Sequence, residues 1–157
     1  MRAVVQRVRG ASVTVNNDLA GCINKGLLVY LGVAADDTEK DAEWMAEKVV
    51  NLRIFVDSQD RMNLSLFDII EHGGSEADST GVLTVSQFTL LGDAQKGRRP
   101  YFGAAAEPNK AKHLYEFFVD IVKSKGILSE AGIFQAHMDV TYTNDGPVTI
   151  ILDSANS

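Results

Sequence analysis

The segment His137–Asp153, "HMDVTYTNDGPVTIILD", decides how the chain is to be folded. Its halves, "HMDVTYT" and "VTIILD", read as strands, and Asn144-Asp145-Gly146-Pro147 divides them. Asn, Asp and Gly tolerate positive φ at low cost, so the segment reads as a hairpin with "NDGPVT" (Asn144–Thr149) at its tip. Pro147 is the odd residue. It removes a backbone donor where the returning strand should begin, and it stiffens the tip. A rigid, donor-poor Gly-Pro has two readings: a stiff hairpin end, or a backbone surface shaped for a ligand.

Working outward, the chain has 157 residues, enough for one domain (1–157) with a hydrophobic core. Apolar residues make up 45% and charged residues 23%, the balance of an ordinary globular protein. No apolar run approaches the ~18–20 residues of a membrane span, and "MRAVVQRVRG" has no signal-peptide core, so a cytoplasmic location is expected. Cys22 is the single cysteine, which excludes an internal disulfide and a cysteine-based zinc site. The net charge is −6, against indiscriminate nucleic-acid binding. Residues Leu90 to Lys125 nevertheless carry seven basic against four acidic side chains, while the rest carries eight against seventeen. That segment reads either as a solvated helix face or as a local site for a nucleic acid.

Periodicity supplies the elements. "AVVQRV" and "SVTV" alternate, and "LLVYLGV" (Leu27–Val33) is continuously apolar, as in a strand covered on both faces. Thr38 and Asp41 resemble a capping box, followed by a stripe of Ala42, Met45, Ala46, Val49 and Val50. "RIFV" reads as a strand and Glu71–Thr80 as an exposed loop. "GVLTVSQFTLL" (Gly81–Leu91) reads as one strand, then a long loop leads to Pro108 at the start of a second helix. That helix carries Ala111, Leu114, Tyr115, Phe118, Ile121 and Val122 and stops at Gly126. Two helices amid seven or eight short strands give an α/β protein, a single domain with a barrel-like or two-sheet mixed β core and the helices packed outside.

No Walker loop, GxSxG elbow or HExxH is present, and His72, His113 and His137 have no neighbouring ligand at metal spacing, so no metal is expected. On a continuous strand, Gln87 and Thr89 share one face. A buried Gln must be paired, and the position reads as a satisfied core amide, a cross-strand Thr pair, an edge position or the wall of a pocket. Two further readings use other chemistry: a small-molecule esterase with Thr89 or Ser86 as covalent nucleophile, and a non-catalytic tRNA-binding module relying on the basic segment.

Read in order, "MRAVVQRV", "GLLVYLGV", "RIF", "MNLS", "SQFTL", "KGRRPYF" and "NDGPVT" resemble the D-aminoacyl-tRNA deacylases of the D-Tyr-tRNA deacylase family over nearly the whole chain. The resemblance implies hydrolysis of the ester joining a D-amino acid, or glycine mischarged on tRNA-Ala, to the terminal ribose of tRNA, with no cofactor. It implies a homodimer. One wall of the site is then Ser86, Gln87, Phe88 and Thr89, and the other is Gly146-Pro147 of the partner chain, held with a cis bond. Arg7 holds that loop, and Met138 borders the pocket. Main-chain carbonyls of the Gly-Pro wall would take the α-ammonium and leave no room for an L-side chain. Backbone N–H groups around Phe88 and Thr89 would face the developing oxyanion, and the free ribose hydroxyl would help to activate water. Lys96, Arg98 and Arg99 would meet phosphates, with Tyr101 or Phe102 stacking. The chain departs from the family pattern in two places: the long polar loop Glu71–Thr80, and Gln135, where a small residue is expected.

Overall fold

The segment His137–Asp153 is not a hairpin. In the computed structural model, which describes residues 1–72 and 74–156, Asp139–Asp153 is a single strand, β8. It runs antiparallel along the whole of the first strand, β1 (Arg2–Val15). Gln6 pairs with Thr149 and Val8 with Asn144, so the four residues Asp145–Val148 stand opposite Arg7 alone. The expected turn is thus a wide bulge. Gly and Pro interrupt the ladder without reversing the chain, a role both residues have in strands. "AVVQRV" and "SVTV" likewise join into one strand, with register shifts near Arg7 and Gly10.

The fold is α/β. β1 lies at the centre of a mixed sheet, with β8 along one edge. Along its other edge run β2 (Asp18–Ile23) and β3 (Gly26–Gly32). β3 then pairs in parallel with β6 (Gly81–Ser86), and β6 in parallel with β7 (Leu128–Ala131). The sheet curls until β2 faces β7: a Cβ on Gly21 would stand 3.1 Å from the Ala131 carbonyl oxygen. The result is a nearly closed barrel. A short pair, β4 (Phe55–Val56) and β5 (Met62–Leu64), forms a second sheet.

Both faces of β3 are covered, as its unbroken apolar run implies. Leu27, Val29 and Leu31 pack toward the helices, Leu28 toward Val8, Val13 and Leu83 inside the barrel. Helix α1 (Glu39–Asn51) starts at the Thr38–Asp41 capping box and buries all five residues of its stripe. Between α1 and the next helix the "RIFV" strand shrinks to the two residues of β4. A helix missed by periodicity, α2 (Leu66–Glu71), starts at a second capping box, Ser65–Asp68. The loop read over Glu71–Thr80 contains a 3-10 turn at Gly74–Ser79, with Gly73 outside the described residues. Helix α3 (Pro108–Ser124) begins at Pro108, and all of its predicted stripe except half-buried Ile121 is buried. Gly126 follows it at φ +78°. None of the helices among the described residues is long and apolar enough to cross a membrane.

Two glycines allow the parallel strands to meet. Gly26 sits at φ +149°, and a Cβ there would lie 1.9 Å from the Gly81 carbonyl oxygen. The clash is with backbone, which cannot rotate away. Gly26→Ala is therefore expected to lower unfolding free energy by about 3 kcal/mol or more. Gly10→Ala, whose Cβ meets nothing nearer than 4.0 Å, should cost much less. Urea titration of both variants checks the contrast.

Candidate active site

The strand read over Gly81–Leu91 ends at Ser86. Gln87 N–H still donates to the Leu31 carbonyl at 2.8 Å, the last bond on the β3 side. The chain then turns into a 3-10 helix, Phe88–Leu91. The strand parity expected for Gln87 and Thr89 is therefore replaced by turn geometry, in which the Gln87 amide donates to Thr89 Oγ1. Gly32 makes the turn possible: a Cβ there would stand 2.9 Å from the Gln87 carbonyl and closer still to Leu91. The first bond of the turn runs from Leu90 N–H to the Gln87 carbonyl at 3.3 Å, so the Phe88 and Thr89 N–H groups precede it, as first-turn donors do.

This turn forms one wall of a cleft of about 780 Å³. Ser86, Gln87 and Phe88 line it, and Met138 lines it from the opposite wall, together with Phe134, Gln135 and His137. Its depth is apolar, from Leu31, Val33, Val85 and Ala111. Tyr115 and His137 also line the cleft, although sequence reasoning assigned neither a place in it. Tyr115 was read as part of a core stripe, and its hydroxyl does brace the cleft, donating to the carbonyl oxygens of Thr84 at 2.9 Å and Gly132 at 3.3 Å. Ser86 and His137 share the cleft, but among the described residues no hydrogen bond joins them, and none joins Thr89 to a histidine or carboxylate. Among the described residues, the arrangement a covalent Ser or Thr nucleophile needs is not assembled. No three His, Cys, Asp or Glu side chains among the described residues are grouped to hold a metal ion.

The basic loop is fastened to the same wall. Phe102 packs on Phe88 with ring centroids 5.1 Å apart, so it is an anchor and not an exposed stacking surface. Asp93 and Tyr101 close the loop with two backbone hydrogen bonds of 2.8 Å. Lys96, Arg98, Arg99 and Tyr101 stand exposed on it.

Gly146 and Pro147 are elsewhere. They are exposed, joined by a cis bond, with Gly146 at φ +120°. The bulge is clamped from beneath. Asn144 Nδ2 donates to the Arg7 and Val148 carbonyls, each at 3.0 Å. Asp145 takes a hydrogen bond of 2.8 Å from Arg9 and a charge contact of 3.0 Å from buried Arg7, whose guanidinium also donates to the Ile54 carbonyl. Asp145 borders a small recess with Arg9, Lys25 and Thr80. Lys25 and Thr80 adjoin the Gly81 end of β6, whereas the cleft opens at its Ser86 end. Six residues of strand, roughly 17 Å, separate the two ends. The bulge of one chain is thus remote from the cleft of the same chain.

Comparison with known proteins bears on what this site does. Residues 4–153 match the family described as D-Tyr-tRNA(Tyr) deacylase. A D-aminoacyl-tRNA deacylase of Koribacter versatilis (strain Ellin345) is 56% identical over 154 residues, covering 98% of this chain and 97% of the other. One from Clostridioides difficile (strain 630) is 56% identical over 157 residues, covering 100% and 99%. Among solved structures, one described as c-Myc DNA Unwinding Element Binding Protein superimposes with a TM-score of 0.84 at 38% identity, over 98% of both chains. A second, described as a probable eukaryotic D-amino acid tRNA deacylase, has a TM-score of 0.78 at 19% identity over 96% of this chain and 97% of its own, a likeness of fold.

Two of the four tyrosines are held neutral beyond their usual range. Burial pushes Tyr115 up. Tyr30, on β3, is pushed to about 12 by burial and by the neighbouring Tyr142. The folded state then keeps a proton that the unfolded chain releases near pH 10. The stability Tyr30 contributes is complete below pH 10 and is lost as pH rises through about 12. Tyr30→Phe should flatten the fall in unfolding free energy between those values, and absorbance titration should show two late-ionising phenols.

Proposed function

The chain belongs to the D-Tyr-tRNA(Tyr) deacylase family and hydrolyses the ester bond of D-aminoacyl-tRNA, and we propose that it does so in a site shared between two copies. The carrying observation is the separation of the two motifs. The cleft lined by Ser86, Gln87, Phe88 and Met138 and the bulge carrying Gly146-Pro147 lie at opposite ends of β6. A two-fold axis brings each bulge to the other copy's cleft and completes two equal sites. β8 supports the reading, since it pairs with β1 alone among the described strands and leaves a long edge for a second copy.

In this site the ester carbonyl lies against the Phe88–Thr89 turn. Water attacks the carbonyl carbon, charge gathers on the carbonyl oxygen, and the N–H groups of Phe88 and Thr89 face it. The bond to the ribose oxygen then breaks, and that oxygen takes a proton. The neighbouring ribose hydroxyl assists the water. Such donors are worth about 3–4 kcal/mol of barrier each in well-studied hydrolases. Gln87 holds Thr89, which fixes the turn.

The partner's Gly-Pro wall judges chirality. Main-chain carbonyls bind the α-ammonium, and the α-carbon is held with no space on the side an L-residue needs. A D-side chain points away. Glycine, including glycine on tRNA-Ala, has nothing to exclude and enters. Lys96, Arg98 and Arg99 meet the phosphates of the tRNA end, held beside the cleft through Phe102.

The test is deacylation of matched D-Tyr-tRNA and L-Tyr-tRNA. Wild-type protein should cleave the first and spare the second; equal rates would sink the chiral wall. At Gly146 a Cβ would come within 2.8 Å of Val148 and 3.0 Å of Arg7. Gly146→Ala should therefore lower kcat/KM on D-Tyr-tRNA by about 100-fold, the usual result of displacing a reacting group by an ångström. Thr89→Ala should lower the rate without a trappable acyl-enzyme.

Changing Lys96, Arg98 and Arg99 together to Ala should weaken tRNA binding and reduce the slope of log K against log salt by about 2–3. The hydrolytic rate at saturation should stay within a few-fold. An unchanged slope would remove these residues from the RNA contact.

A further inference from the structure

Gln135 is held where its residue type does not belong. It sits in the turn Ile133–Ala136, closed by Ala136 N–H donating to the Ile133 carbonyl at 3.1 Å, and its φ is +64°. Four non-glycine residues among those described have positive φ. Three of them, Asn16, Asn17 and Asp60, are types whose short polar side chains tolerate the left-handed region. Gln135 is the exception, and glycine would fit without strain. Strain of this kind persists where surrounding structure imposes it, and it gathers at ligand sites.

The position explains what the strain could serve. Gln135 is exposed and borders the main cleft. It also borders a second recess of about 370 Å³ beside α3, with Tyr115 and Phe134 as the common wall. Tyr115 and Phe134 stand with ring centroids 5.9 Å apart, tilted by 43°. The cleft is thus a slot with an apolar depth and aromatic sides, lined also by Ser86, Gln87 and His137, with the Gln135 carboxamide at its rim.

Building on the assignment of this cleft to the ester-bearing 3′ end of tRNA, we propose that Gln135 is a specificity-determining residue that reads the edge of the terminal adenine. The apolar slot takes the faces of a flat base. The carboxamide carries a donor and an acceptor side by side, matching the exocyclic amine and adjacent ring nitrogen of adenine. The aminoacyl group lies beyond it, toward Phe88. Gln135 therefore acts on substrate affinity and not on the chemical step.

The experiment uses the full chain with D-Tyr-tRNA ending in adenosine and with the same tRNA ending in purine riboside, which lacks the exocyclic amine. Wild-type protein should show a KM about 10-fold higher for purine riboside. Gln135→Gly should raise KM for the adenosine form by a similar factor, abolish the discrimination and lower kcat much less. Its melting temperature should rise by about 2–4 °C, because the strained turn is relieved, which separates lost recognition from lost folding. Unchanged KM and retained discrimination in Gln135→Gly would overturn the inference. So would a KM change that follows the amino acid and ignores the base. Gln87→Ala provides the control on the cleft itself. If it reduces deacylation while Gln135→Gly is silent, only the base-reading role fails. If both are silent, the assignment of the cleft fails with it.

Discussion

The arrangement turns on one buried charge. Arg7 lies on β1 with 7% of its surface exposed, where the strand faces apolar packing. An uncompensated guanidinium there would be prohibitive, so the chain must bring it acceptors. It finds an acceptor in the Ile54 carbonyl, just after α1, and an opposite charge in the Asp145 carboxylate, on the bulge of β8. One side chain therefore joins the helical layer to the interruption in the edge strand. Asp145 is also held by Arg9, and Asn144 bridges the base of the bulge. The dipeptide at the top, Gly146-Pro147, needs no contacts of its own to be fixed, because the residues beneath it are fixed. That leaves the dipeptide exposed at the surface.

In the proposed shared site, the other half is built by the opposite method. The Phe88–Leu91 turn is positioned from behind by backbone proximity: Gly32 admits it, Gln87 continues the β3 ladder into it, and Arg2 donates to the Leu90 carbonyl at 3.0 Å. Both halves thus present main chain, with side chains doing the holding. A hydrolase working this way depends little on the ionisation of any one residue, and much on shape. It also suits a substrate whose variable part must be ignored. A wall of backbone can refuse one hand at the α-carbon while making no contact with what lies beyond it.

How far the sequence disclosed this depends on which physical signal each element uses. Helices α1 and α3 were legible because each carries a long apolar stripe with a defined start, Thr38 in one and Pro108 in the other. Helix α2 was not, since six residues give hardly two turns of periodicity; its sign was the Ser65–Asp68 capping box. The two strand corrections share a cause. "NDGP" has hairpin chemistry, but the ladder of β1 extends past it, and a long partner strand outweighs local turn preference. "SQFTL" has strand composition, but β6 loses its neighbour β7 after Thr84, and the chain is free to coil. In both cases tertiary pairing decided. The candidate site residues came from motif resemblance, while Tyr115 was hidden inside a stripe that marks it as core.

Gly146 and Gln135 make an instructive pair. Both stand at positive φ where the proposed site would hold substrate, on β8 itself and on the turn that leads into it. At Gly146 the chain uses the residue that the backbone asks for, and a Cβ would strike Val148 and Arg7. At Gln135 nothing is gained by the backbone from having a side chain, yet a long polar one is present. Stability alone explains the first choice and opposes the second. On the proposal made for Gln135, a protein that accepts strain at one turn of a cleft, while obeying the same rule eleven residues later, uses the offending side chain for contact with something outside the fold.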